Sequence, residues 1–275
     1  MSQVTVRELQ VFPVKGCQGV PVDQLDITEL GIVGDREFVI WEDGQLVDQK
    51  DTPQVAALGV DLDRAAGRLR FSHPDHGAFE HEIREHGDLR KAKWVLDDME
   101  TIDQGDAVAD WLGQAVGRPV RLVSPGAPWK INFPIPQMER LHTQPKHRFF
   151  AASPVSLANQ ASLDDLNARL DEPVPMDRFR INVVVDGMDA YAEDHIDRIG
   201  NGDAELLQVT PAERCVIITT DQKTGNRPKT DLMKVLSDYR RKPAEERFGS
   251  GVIFGNYMTV GKPGTLRVGD RLTVA

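Results

Sequence analysis

Residues 4–14 read VTVRELQVFPV, with apolar Val4, Val6, Leu9 and Val11 set among polar neighbours. A period near two marks a half-buried strand, and Pro13, which cannot donate to a ladder, predicts its end. The stretches that follow have the same character. Gln24 to Glu29 and Arg36 to Trp41 are short and β-leaning, joined through ELGIVGD. EDGQ at 42–45 contains Asp-Gly, which tolerates the positive φ of a tight hairpin. Leu58 to Leu62 and Arg68 to Ser72 flank a turn at 65–67. Many short strands at close spacing predict a barrel or sandwich.

Helical spacing first appears at Asp106 to Gly117. Ala107, Trp111 and Ala115 recur every four residues beside Val108, Leu112 and Val116, and Gly117 fits a C-cap. A strand at Val120 to Val123 follows. Pro125 to Pro145 then holds five prolines in 21 residues and predicts an irregular connector, either a linker or a lid over a site. Beyond it, Ser162 to Leu170 predicts a helix with Ser162 as N-cap. Asp177 to Gly187, Glu205 to Pro211, Arg214 to Thr220, Gly251 to Val260 and Thr265 to Val274 read as strands. VGKPGTLRVGD near the end reads as a hairpin. Asp231 to Tyr239 predicts a short helix. The expected fold class is mainly β with some α, an N-terminal β-barrel-like domain over 1–123 and a C-terminal β-barrel domain with short helices over 124–275.

Composition narrows the functions. The 275 residues carry a net charge of -10 with 40% hydrophobic residues, an ordinary globular balance. No basic run supports binding of duplex nucleic acid. No apolar window approaches a membrane span and no signal peptide precedes the first strand, so a cytoplasmic protein is expected. Two cysteines cannot ligate a four-thiolate cluster.

Cys215 stands in AERCVIITTDQKTG, at the head of an apolar segment and beside Arg214. A thiolate is both nucleophile and metal ligand, and adjacent positive charge favours it. A small buried hydrophobe is the alternative, more so for Cys17 in VKGCQG. Lys15, Arg36, Arg180 and Arg214 each lie at a strand end or turn, where they either converge on an anion or remain unrelated surface charges. Asp35 and Asp194 are candidate bases or solvated acids. His195 has no HxxxH or HExxH partner, so zinc hydrolysis finds no motif.

Taken in order, VFPVKGCQGVPV, GDREFVI, SLANQASLDDLNARL, FRINVVV, YAED with GDAEL, RCVIITTDQKTG, LSDYR, FGNYM and PGTLRVGD resemble the MOSC family. The similarity covers almost the whole chain. It is to the branch with an N-terminal β-barrel domain, that of the mitochondrial amidoxime-reducing component and its bacterial relatives. The resemblance implies a molybdenum–pterin cofactor with Cys215 as the metal's thiolate ligand, a soft donor suited to it. It implies cofactor contacts from Lys15, Arg36, Ser153, Arg180, Asn182, Arg214 and Tyr257, with Asp194 a candidate proton donor. Pyridoxal phosphate binding is a further association that comes with it.

The chain departs from the family pattern at Gly16, at Ala151 and Ala152, and at Glu213. The activity implied is reduction of N-hydroxylated small molecules. No ferredoxin-like segment follows RLTVA, so electrons are expected from a separate ferredoxin-like or flavin protein. A second reading is a sulfur or molybdenum-cofactor carrier holding a persulfide on Cys215. A third is a domain that binds no metal and acts through its surface.

Overall fold

A computed structural model describes residues 2–94, 97–128, 135–142 and 151–275. The strand Ser2–Val11 lies at the centre of its topology. It pairs antiparallel with Val183–Asp186 on one side and Arg271–Val274 on the other, and also with Val20–Val22. From Val183–Asp186 the ring continues through Val155–Asn159, Ile253–Lys262, Glu205–Glu213 and Arg198–Gly200 to Arg271–Val274. These seven strands close a barrel. Only the pair Val155–Asn159 and Val183–Asp186 runs parallel. The expected mainly β class therefore holds.

The alternation of the first strand explains its place. Val4, Val6, Leu9 and Val11 face a core shared with Leu157, Val183, Val185, Leu206 and Leu272. The doublet Arg7-Glu8 breaks the period, and there the register shifts by a bulge that keeps Leu9 and Val11 inside. Burying such a row is favourable by roughly 1.5 to 3 kcal/mol per large apolar side chain.

The other N-terminal segments form a second unit. Leu89–Trp94, Asp97–Asp103, Arg121–Pro125, Val39–Glu42 and Gln45–Leu46 make one sheet, and Gly59–Asp63, Arg68–His73 and Gly77–Glu82 a three-stranded one. The helix Asp106–Val116 buries Val108 and Leu112 against Phe38, Ile40, Leu69 and Phe71. Gly117 takes the left-handed C-cap, φ 77°. The Asp43-Gly44 turn has positive φ at both residues, as the hairpin reading requires.

Strand pairing links the two parts of the chain. The first strand belongs to the C-terminal barrel, and Gln24–Thr28 pairs with Gly264–Arg267. This pairing also corrects the expected hairpin at VGKPGTLRVGD. Gly264–Arg267 crosses to the N-terminal residues rather than folding back on Ile253–Lys262, and Arg271–Val274 joins the barrel separately.

Two further expectations change. Ser162 does not cap its helix. The helix spans Gln160–Asn167 and starts at Asn159, whose Oδ1 accepts from Ala161 N (3.3 Å), while the Ser162 hydroxyl donates to buried Glu193 (2.8 Å). Arg214 to Thr220 is not a strand, because Val216–Thr219 forms a 3-10 turn headed by Cys215. The predicted helix at 231–239 is present as Leu232–Tyr239. Of the proline-rich connector, 129–134 and 143–150 lie outside the described residues. Between them, Met138 and Leu141 pack with Ala151 beside Tyr257. Among the described residues no helix is long and apolar enough to cross a membrane.

Candidate functional site

The first strand leaves the barrel at Val11, and the next residues run along the second unit. Arg36 N donates to Phe12 O (2.6 Å), Phe38 N to Pro13 O (3.1 Å) and Lys15 N to Phe38 O (2.9 Å). This short ladder brings Lys15 and Arg36 side by side. Across from it, the Met176–Phe179 turn ends at Arg180, and the strand Glu205–Glu213 ends immediately before Arg214 and Cys215. One pocket between these segments is lined by Lys15, Arg36, Ser153, Arg180, Asn182, Arg214, Cys215 and Tyr257. It thus unites every residue expected at the site except Asp194.

Arg36 and Arg180 have φ of 48° and 55°, the left-handed region that non-glycine residues rarely occupy. Such conformations cost of order 1 to 3 kcal/mol and persist where the surroundings hold them. Here Arg36 Nη1 donates to Asp35 Oδ2 (2.5 Å) and Asn182 Oδ1 (3.0 Å), and Nη2 to the Arg180 carbonyl (2.9 Å). Arg180 Nη1 donates to the carbonyl of Cys17 (2.6 Å) and to Gln222 Oε1 (3.0 Å). Its Nη2 is buried without a hydrogen-bond partner among the described residues.

Three guanidiniums and an ammonium share little water here. Burial, opposed by Asp48 and reinforced by Arg36 and Arg180, pushes Lys15 down to about 8. Burial and then Arg36 pull Arg180 down to about 9. Burial also lowers Arg214 and raises the Tyr257 phenol. An excess of confined positive charge with an unpartnered guanidinium nitrogen fits an anionic ligand. Cys215 is partly exposed on the same pocket, so its sulfur is reachable by a soft metal. The donor set therefore suits a metal carried by an anionic, phosphate-bearing group.

Asn182 and Arg214 also hold the walls together. Asn182 Nδ2 donates to Asp35 Oδ1 (2.9 Å) and Gln10 O (3.1 Å), while its Oδ1 accepts from Ser156 Oγ (2.9 Å). Arg214 donates to the carbonyls of Phe254 (2.6 Å) and Phe179 (3.0 Å). The Ser153 hydroxyl donates to Met258 O (2.5 Å).

Asp194 lies elsewhere, in the Ala192–His195 turn, with Oδ2 accepting from Arg240 (2.6 Å). Asp48, Gln49, Ser156 and Arg178 also line the pocket and were not among the expected site residues, although Ser156 heads the SLANQ stretch. Cys17 is fully buried, and burial pushes its thiol up to about 12. A larger cavity, about 840 Å³ against about 180 Å³, lies beside Trp41 in the second unit. No thiol lines it, and its Arg118 and Arg121 are paired with Glu42 and Asp103.

Comparison with known proteins bears on the whole chain. A family model described as the MOSC N-terminal beta barrel domain matches residues 3–119, and one described as the MOSC domain matches 144–273. Mitochondrial amidoxime-reducing component 1 of Homo sapiens is 31% identical over 97% of this chain and 81% of its own length. Mitochondrial amidoxime reducing component 2 of Bos taurus is 30% identical over 97% and 82%. The crystal structure of YUAD protein from Bacillus subtilis aligns with a TM-score of 0.42 and 13% identity, over 98% of this chain and 94% of that one. The comparisons lend no support to pyridoxal phosphate.

Proposed function

The chain belongs to the MOSC family and carries its N-terminal β-barrel domain, and from that premise we propose that it reduces N-hydroxylated small molecules with a molybdenum–pterin cofactor. The observation that carries the reading is the convergence of the Cys215 thiol with Lys15, Arg36, Arg180 and Arg214 on one pocket. Cys215 would be the metal's protein ligand. Lys15, Arg36 and Arg180 would hold the phosphate, and Arg214 and Asn182 would fix the walls. Ser153 and Tyr257 would border the cofactor. When bound, the cofactor supplies two-electron chemistry at an N–O bond.

The overall change takes two electrons and two protons, breaks the N–O bond, and yields the N–H compound and water. The protein's share is to bind, orient and exclude water. Electrons would come from a separate ferredoxin-like or flavin protein. Asp194 has no part in this reading, since it does not line the pocket.

A persulfide carrier would use the same sulfur. It needs only an accessible thiolate, which one neighbouring cation suffices to favour, whereas four converging cations suit an anionic ligand. The test is molybdenum content and benzamidoxime reduction of protein made in a cofactor-competent host, with a reconstituted electron donor. The wild type should hold close to one molybdenum per chain and be active, and Cys215→Ala should show neither. Equal metal and activity in both would sink the reading, and a stable extra sulfur on Cys215 without pterin would replace it by the carrier.

A further inference from the structure

Phe12 does not line the pocket, yet both left-handed arginines meet its ring. The guanidinium carbon of Arg36 lies 4.5 Å from the ring centroid and that of Arg180 lies 4.4 Å from it. The ring is buried, 1% exposed, and its backbone is fixed at both ends. Phe12 N donates to Asp35 Oδ1 (2.9 Å), and its carbonyl accepts from Arg36 N (2.6 Å). Gly19 leaves the necessary room, since a Cβ there would come within 2.5 Å of Phe12 Cε1.

We propose that Phe12 is a positioning residue of the anion pocket, its ring face holding Arg36 and Arg180 at the spacing a phosphate requires. The argument is electrostatic. Two guanidiniums sharing a desolvated site repel each other, and a hydrocarbon neighbour does nothing to offset that. An aromatic face carries a negative quadrupole that attracts each cation, more strongly away from water. The hydrogen bonds of Arg36 to Asp35 and of Arg180 to Gln222 fix one edge of each group. The shared ring fixes a face of each and leaves Arg180 Nη2 without a hydrogen-bond partner among the described residues. The arginines therefore arrive preorganised, and less of the binding energy goes into ordering them.

This inference rests on the reading that Arg36 and Arg180 grip an anion, so the test separates the two. Inorganic pyrophosphate is titrated calorimetrically into the full chain prepared without cofactor. The variants are Phe12→Leu and a series with 4-fluoro-, 3,5-difluoro- and 3,4,5-trifluorophenylalanine at position 12. Fluorination empties the ring face of negative potential while nearly preserving its shape, which a purely steric role would not sense. Affinity should fall stepwise, reaching about tenfold with three fluorines, and by at least as much in Phe12→Leu. Unchanged affinity along the fluorinated series overturns the role of Phe12 and leaves the anion pocket standing. No pyrophosphate binding by the wild type overturns both. If Phe12→Leu does not fold, the near-isosteric series decides alone.

Discussion

The two cysteines occupy neighbouring parts of the molecule and opposite environments. Cys17 sits in a β-unit core with Val14, Val55, Leu58 and Phe71, wholly out of contact with water. Its carbonyl nevertheless accepts from Arg180, so it lies just behind the pocket wall. Cys215 stands at the end of a barrel strand, partly exposed, on the pocket side of that wall. One sulfur is a packing atom and the other is accessible from the pocket. Proximity to positive charge does not distinguish them, because Arg180 acts on Cys17 too. Desolvation does, since it penalises a thiolate that has no route to a counter-ion or a metal.

The largest expected difference follows directly. Cys215→Ala should lower bound molybdenum and reductase activity at least a thousandfold, to background, whereas Cys17→Ala should keep both within about twofold, since it removes no ligand. Loss of metal in Cys17→Ala without loss of fold would erase the distinction. Alkylation sharpens it further. Under native conditions iodoacetamide should modify Cys215 in the cofactor-free protein and leave Cys17 untouched until denaturant is added, as peptide mass mapping would show.

Much of this contrast was legible in the sequence, and the exceptions share a cause. The Gly117 cap, the Asp43-Gly44 hairpin and the alternation of Val4, Val6, Leu9 and Val11 are decided by near neighbours, so pattern finds them. The convergence of Lys15, Arg36, Arg180 and Arg214 is not local, and only the ordered family resemblance brought them together before the fold did. Ser162 satisfies the local rule for a cap, but its hydroxyl is committed to Glu193, 31 residues away, so Asn159 takes the role. The run VIITT is β-branched and suggested a strand, yet Val216 is 42% exposed and the chain turns so that Ile218 alone of the four turn residues is buried. Likewise, PGTLRVGD carries hairpin residues, but Gly264–Arg267 finds its partner in Gln24–Thr28. Tertiary pairing overrides local preference in each case.

A smaller prediction concerns alkali. The Cys17 thiol is raised from 9.0 to about 12. It stays protonated in the folded chain while the unfolded chain ionises. The contribution is therefore fully present below pH 9 and is lost as pH rises towards 12. Between pH 8 and pH 11 the wild type should lose about 2 to 3 kcal/mol more unfolding free energy than Cys17→Ala, as urea titrations at each pH would measure. Parallel pH profiles for the two proteins would mean that the thiol is not held in the neutral form.

The smallest effect has the opposite sign and belongs to the pocket side of the wall. Lys15 is lowered from 10.5 to about 8, because burial takes its ammonium out of water, opposed by Asp48 and reinforced by Arg36 and Arg180. Below pH 8 the folded chain carries a charge that the unfolded chain holds more comfortably, so Lys15 then works against folding. As pH rises from 8 to 10.5 the folded chain releases that proton first and the penalty disappears. Lys15→Met should therefore raise the stability of cofactor-free protein at pH 7 by about 1 to 2 kcal/mol, once partial exposure is discounted, with the gain vanishing above pH 10.5. With a phosphate bound the sign reverses, because the anion favours the charged amine. The same variant should then lose the stabilisation that pyrophosphate gives the wild type, as thermal denaturation with and without the ligand would show. A Lys15→Met chain that is less stable without ligand, or equally stabilised by it, would mean that the cations on the Cys215 side are structural after all.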